Sequence, residues 1–113
     1  MTEINNKHGK VIYTYDDADL HFADLSDADL RGADLRNADL HGADLSDANL
    51  SVANLFGANL SGADLHGVDL RNADLRKADI SGAYLSGAYL YGVKLRSGQQ
   101  EDLISALGCV VIE

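Results

Sequence analysis

The sequence contains no proline, no tryptophan and only one cysteine. A lone thiol, Cys109, cannot close an internal disulfide, so the covalent staples of small secreted scaffolds are absent and a reducing compartment is the natural setting. Basic residues are also few: nine Lys and Arg against eighteen Asp and Glu give a formal net charge of -9. Direct nucleic-acid binding draws on an excess of Lys and Arg to neutralise phosphates, so this balance argues against it and points to basic or neutral partners. No apolar run approaches the ~20 residues that a membrane span requires. Residues Met1 to Lys10 lack the apolar core of a secretory signal. The expectation is therefore a soluble, cytoplasmic chain of one domain at most, with no cofactor. Glycine, by contrast, is plentiful at 11 of 113 residues, and without proline or tryptophan that composition suits neither a helical bundle nor a sandwich.

What is present is a repeat. From Ala18 to Ser97 a leucine, once replaced by Ile80, recurs every five residues from Leu20 to Leu95. Two positions before each stands alanine, replaced only by Val68 and Val93, and between the two lies mostly Asp or Asn. With the leucine as position i, the unit reads Ala(i-2), Asp/Asn(i-1), Leu(i) and two variable residues. A period of five fits neither regular structure. On an α-helix each step of five rotates the leucine by ~140°, and on a flat strand an odd period sends successive leucines to opposite faces. The conflict disappears if the backbone turns a corner once per repeat. Ala(i-2) and Leu(i) then point inward together, the residue between them points out, and the last two residues form the turn. Position i+2 agrees: it holds Gly32, Gly42, Gly57, Gly62, Gly67, Gly82, Gly87 and Gly92, with Asp27, Asn37, Asp47 and Asn72. These residue types tolerate the positive φ of a tight turn. Four corners of ~90° close a coil of twenty residues.

These sixteen consecutive A(D/N)LXX units, roughly 70% of the chain, resemble the pentapeptide-repeat family. The resemblance implies an all-β solenoid: a right-handed quadrilateral parallel β-helix of four coils, four repeats to the coil. Its handedness comes from the resemblance alone. At a strand spacing of ~4.8 Å the rod is ~19 Å long.

The organisation expected is an N-terminal extension and capping strand over 1–17, the repeat over 18–97, and a capping helix and tail over 98–113. At the front, Val11 to Tyr15 is a β-prone run whose Tyr13 and Tyr15 fall in the i-2 and i register, suggesting a degenerate first repeat that plugs the open end. At the back, Gln99 to Asp102 opens a helix running to Leu107, with acids in its first turn. Leu103, Ile104 and Leu107 share one face of it. Gly108 ends it, and Val110, Val111 and Ile112 follow as an apolar tail. Together with Tyr84, Tyr89 and Tyr91 of the last coil, these residues form a surface that either seals the rod or makes a homodimer, as the C-terminal pairing of some family members implies.

Residues twenty apart share a face, so the outer surface can be drawn from the sequence. Two faces carry Asp19, Asp24, Asp27, Asp39, Asp44, Asp47, Asp64 and Asp79 and no Lys or Arg. The other two carry Arg31, Arg36, Arg71, Arg76, Lys77, Lys94 and Arg96 against four acids. The rod should be two-sided, one flank strongly acidic and the other mildly basic. The acids serve either as solvated surface that repels unwanted edge pairing or as a docking strip for a basic protein partner. His21 and His41 lie beside Asp19 and Asp39, but two histidines without a third fixed ligand are ordinary surface. Phe56 stands alone among polar neighbours. No nucleophile has a positioned base and a filled rod offers no deep pocket, so catalysis is not expected. The leading expectation is a non-catalytic scaffold for protein–protein interaction. The resemblance offers a second, a DNA mimic that binds a type II topoisomerase such as gyrase in place of DNA. The basic flank and the ~6 base pairs that ~19 Å would span count against it. A third is a purely structural repeat unit.

Overall fold

The structure is a computed structural model; it describes residues 20–107 throughout and the backbone of 2–6 and 11–15. Its ladder has a period of twenty. Asp24 bridges Asp44, Asp44 bridges Asp64 and Asp64 bridges Tyr84, all in parallel. The same step links Asp29, Asn49, Asp69 and Tyr89; Asp34, Asn54, Asp74 and Lys94; and Asp39, Asn59 and Asp79. Each rung uses both backbone groups. The Leu25 N–H donates to the Asp44 carbonyl at 2.7 Å, and the Asp44 N–H donates back to the Ala23 carbonyl at 2.9 Å. Corners are stitched as well, the Asp27 N–H donating to the Ser46 carbonyl at 2.9 Å. Because the chain turns every five residues, each ladder is one rung wide and no long strand develops. The two minor extents of the molecule are equal, 23 × 23 Å.

The corners are tight turns in which the N–H of one repeat's alanine closes on the preceding leucine carbonyl, as Ala28 does on Leu25 at 3.0 Å. The third residue of each has positive φ, the signature of a type II turn. Glycine, Asp and Asn occupy most of these positions, as their tolerance of that conformation predicts. Phe22 (φ 56°), Val52 (φ 61°) and Lys77 (φ 62°) do so as well, against their preference. Val52 is the most strained of the three, because a β-branched side chain crowds the backbone there. Replacing Val52 by glycine should raise stability by about 0.5–1 kcal/mol, the relief of strain less the extra entropy of an unfolded glycine. Thermal unfolding checks this, and a lowered midpoint would contradict it.

Inside, the leucines from Leu20 to Leu85 and Ile80 are buried, and alanines such as Ala38, Ala43 and Ala58 lie fully buried beside the corners, a position that Val68 also fills. Among the described residues no polar or charged side chain is buried. Leu90, Val93 and Leu95 are only half-buried, because the repeat register ends at Ser97 and no following leucine stacks on them. The chain then forms helix α1 (Gln100–Ala106), with Glu101 and Asp102 in its first turn, where the helix dipole favours acids. Leu103, Leu107 and buried Ala106 pack against the core. The Ala106 carbonyl accepts the Leu85 N–H at 2.7 Å, taking the place of the next rung. Gln99 ties the approach to the helix, its side-chain amide donating to the Leu75 carbonyl at 2.7 Å and that of Ala78 at 3.2 Å.

The reading of Val11 to Tyr15 as a degenerate first repeat needs correction. Val11–Tyr15 is a strand (β2), but it is not the first repeat of the coil. It pairs antiparallel with β1 (Thr2–Asn6), with Thr2 opposite Tyr15 and Ile4 opposite Tyr13. β1 in turn pairs antiparallel with β3 (Ala28–Asp29), Asn5 opposite Asp29, so the sheet order is β2-β1-β3. A hairpin partner a few residues away closes a shorter loop, at lower entropic cost, than a coil partner twenty residues on. Thr2–Asn6 escaped notice because Ile4 is its one large apolar residue.

Candidate interaction surfaces

Every described Asp or Asn at i-1 turns its Oδ1 back onto its own corner, accepting the N–H of residue i+1. Asp24 accepts from Ser26 at 3.2 Å, Asp39 from His41 at 3.1 Å, Asn49 from Ser51 at 3.0 Å and Asp64 from His66 at 3.0 Å. The bond needs only a carbonyl-like oxygen, which explains why Asp and Asn exchange freely at this position. Of the acids expected to form a docking strip, Asp24, Asp39, Asp44, Asp64 and Asp79 are therefore corner-forming residues first, whereas Asp27 and Asp47 occupy the positive-φ position of their turns.

Their partners differ by face. On the first two faces the additional donors are hydroxyls: Ser26 to Asp24 at 2.7 Å, Ser46 to Asp44 at 2.6 Å and Ser81 to Asp79 at 2.6 Å. On the other two they are guanidinium groups. Arg36, Arg71 and Arg76 each close a two-point bond onto the aspartate of their own repeat, Asp34, Asp69 and Asp74, at 2.7 to 2.9 Å. The hydroxyl and N–H of Ser26 hold the Asp24 carboxyl below the usual range, as those of Ser81 do for Asp79. The arginine side chains do the same for Asp34, Asp69 and Asp74, and are themselves held further in the charged form.

Tyr84, Tyr89 and Tyr91 are exposed on the last coil, Tyr91 most of all at 82%. Tyr84 stacks on His66, with ring centroids 5.9 Å apart and planes 19° from parallel, and Tyr89 lies 5.9 Å from the Arg71 guanidinium. Of the other residues expected to seal or dimerise the rod, Leu103 and Leu107 pack on the core and Ile104 is half-buried. Val110, Val111 and Ile112 lie outside the described residues, as does Asp19. His41 shares a hydrogen bond with Ser61 at 2.9 Å and meets Phe22 edge-on at 5.3 Å. No three His, Cys, Asp or Glu side chains among the described residues converge as metal ligands.

Residues 16–51 and 53–96 match the family described as pentapeptide repeats, in 8 copies. The chain belongs to the pentapeptide-repeat family. Similar solved structures include a pentapeptide repeat protein from the cyanobacterium Cyanothece 51142, 37% identical over 74% of this chain and 64% of that one, with a TM-score of 0.39. One from Nostoc Pcc 7120 is 44% identical over 70% of this chain and 65% of its own, with a TM-score of 0.48. Another, from the Arabidopsis thaliana thylakoid lumen, is 33% identical over 78% and 72%, with a TM-score of 0.44. The chain spans just under two thirds of the first two. No curated protein sequence matches.

Two features of this pentapeptide-repeat chain escape a reading by residue type. Phe56 does not stand alone: Arg76, Lys77 and Arg96 lie 5.6 to 5.8 Å from its ring centre. The twenty-residue step foreshadows this, since Arg36, Phe56, Arg76 and Arg96 form one i+1 column. The other is a hollow of about 390 Å³ on the third face, around Ser51. A column holding Arg31, Ser51 and Arg71 has a gap at its short residue, and that gap was readable once the columns were drawn.

Proposed function

We propose that the chain is a non-catalytic scaffold that binds a basic protein segment along its acidic flank. In this reading the coil is the family's right-handed quadrilateral β-helix, four coils long, with α1 as its C-terminal cap. The observation that carries the reading is the difference in how the aspartates are neutralised. Asp34, Asp69 and Asp74 each hold an arginine. Among the described residues Asp24, Asp39, Asp44, Asp64 and Asp79 meet only hydroxyl and N–H donors, so their full charge remains for a partner. Asp24, Asp44 and Asp64 are consecutive rungs, and their mutual repulsion, roughly 1 kcal/mol per neighbour in water, is relieved when a cation inserts between them. A lysine-rich peptide provides the test. In two-dimensional NMR it should shift the amides of Ser26, Ser46 and His66 and leave those of Arg36, Arg71 and Arg76 in place. Shifts centred on the arginine columns, or none at all, would sink the reading.

A further inference from the structure

The triplet Asp-Leu-Arg occurs four times at equivalent positions, at 29–31, 34–36, 69–71 and 74–76. Three of the four arginines fold back onto their own aspartate. Arg31 does not, and its triplet differs in being followed by Gly32, where the others have Asn37, Asn72 and Lys77, and in having Asp29 paired with β1. Only its backbone N–H reaches Asp29, at 3.3 Å, and among the described residues its guanidinium holds no carboxylate. Instead Arg31 lines the hollow of about 390 Å³, with Ser51, Val52, Arg71, Asn72 and Tyr91 around it.

The lining has a definite chemistry. Ser51 is the short residue between Arg31 and Arg71 in one column, so the two arginine backbones stand two coils, about 10 Å, apart with no long side chain between them. Asp69, the acid of the lining, takes the two-point bond from Arg71 and also feels the Arg31 charge, both of which hold its carboxyl below the usual range. The Asn49 Oδ1 accepts both the N–H and the hydroxyl of Ser51, so the further hydrogen-bonding capacity of this lining residue is its amide N–H groups, which are donors. What remains is a donor-rich hollow in which Arg31 acts on Asp69 only through space and closes no ion pair with any described carboxylate. Its apolar surface comes from Tyr91 and from Val52, which is 57% exposed. Val52 also keeps a left-handed backbone at φ 61°, where most other corners use Gly, Asp or Asn. Strain of this kind persists where the side chain has a use.

We propose that this hollow receives a carboxylate from an acidic segment of a partner protein, with Arg31 as the fork that binds it and a neighbouring apolar side chain resting on Val52 and Tyr91. The neighbouring columns supply charge complementarity for the rest of such a segment. The third and fourth faces carry seven basic residues against four acids, three of which are matched internally. The hollow opens broadly to solvent, so a free small carboxylate would leave much of itself in water, whereas a segment gains contacts on either side. This site is opposite in sign to the acidic flank and stands whether or not that flank binds anything.

The test is fluorescence anisotropy with a labelled peptide alternating glutamate and phenylalanine, beside its glutamine counterpart. Wild-type protein should bind the acidic peptide and not the glutamine one. Arg31→Gln should weaken binding about tenfold or more, the loss expected for one charged hydrogen-bonding pair. Arg36→Gln, which removes an exposed and already matched arginine, should change it by about twofold or less. Equal binding by Arg31→Gln and wild type would overturn the proposal, as would equal losses at Arg31 and Arg36, which would mean diffuse charge attraction. Competition by free phenylacetate at the affinity of the peptide would overturn the partner segment as the occupant.

Discussion

Replacing Leu60 by alanine should lower the free energy of unfolding by about 3–5 kcal/mol, and the same change at Leu95 by about half that. Leu60 is fully buried and stacks in a column between Leu40 below and Ile80 above, both of them also buried. The backbone around it is fixed by rungs on both sides, the Leu60 N–H donating to the Asp79 carbonyl at 2.7 Å and the Leu40 N–H to the Asn59 carbonyl at 2.8 Å. Neighbouring coils therefore cannot collapse into the space left, and a large part of the cavity penalty remains. Leu95 is half-buried with no leucine of a later coil above it, so truncation there loses less contact and the site is freer to relax. Urea denaturation of the two variants measures the difference. Equal losses would mean that stability does not follow position along the coil, contrary to the nearest-neighbour behaviour expected of a solenoid.

The second large effect separates the two jobs of the acidic residues. Changing Asp24, Asp44 and Asp64 together to alanine removes three corner-capping oxygens and should cost about 3 kcal/mol, near 1 for each lost side-chain-to-backbone bond. Changing the same three to asparagine keeps each Oδ1, as Asn49, Asn54 and Asn59 already show by capping Ser51, Phe56 and Ser61. The asparagine variant should match wild type or slightly exceed it, because repulsion between adjacent rungs disappears. A comparable loss of stability in both variants would mean that the carboxylate charge, and not the oxygen geometry, holds the corner.

The coil itself was legible in the sequence because its cause is local and repeated: Ala and Leu two apart, then a turn residue, without interruption from Ala18 to Ser97. The α1 helix was legible for a similar reason, with acids opening it and Leu103 and Leu107 on one side. The front of the molecule was not. Whether Val11–Tyr15 continues the coil or folds back on Thr2–Asn6 depends on a competition between two partners, and residue types describe only one of them. The faces were legible as columns, but their state was not. Asp24 and Asp34 look alike in the repeat, yet one carries a hydroxyl and the other an arginine. Arg31 and Arg36 follow the same two residues, yet only Arg36 turns back. The first difference is set within the repeat, by Ser26 and Arg36, whereas the second lies beside the gap left by Ser51 one coil away.

The most direct test of the acidic flank is the affinity of the triple asparagine variant for the lysine-rich peptide, read at low salt beside wild type and with the melting midpoints of both proteins in hand. Expected are a midpoint equal to or slightly above that of wild type and an affinity lower by roughly tenfold or more, since three close-range charges are lost while the fold is kept. Unchanged affinity would contradict it, leaving Asp24, Asp44 and Asp64 as corner-forming residues and nothing more.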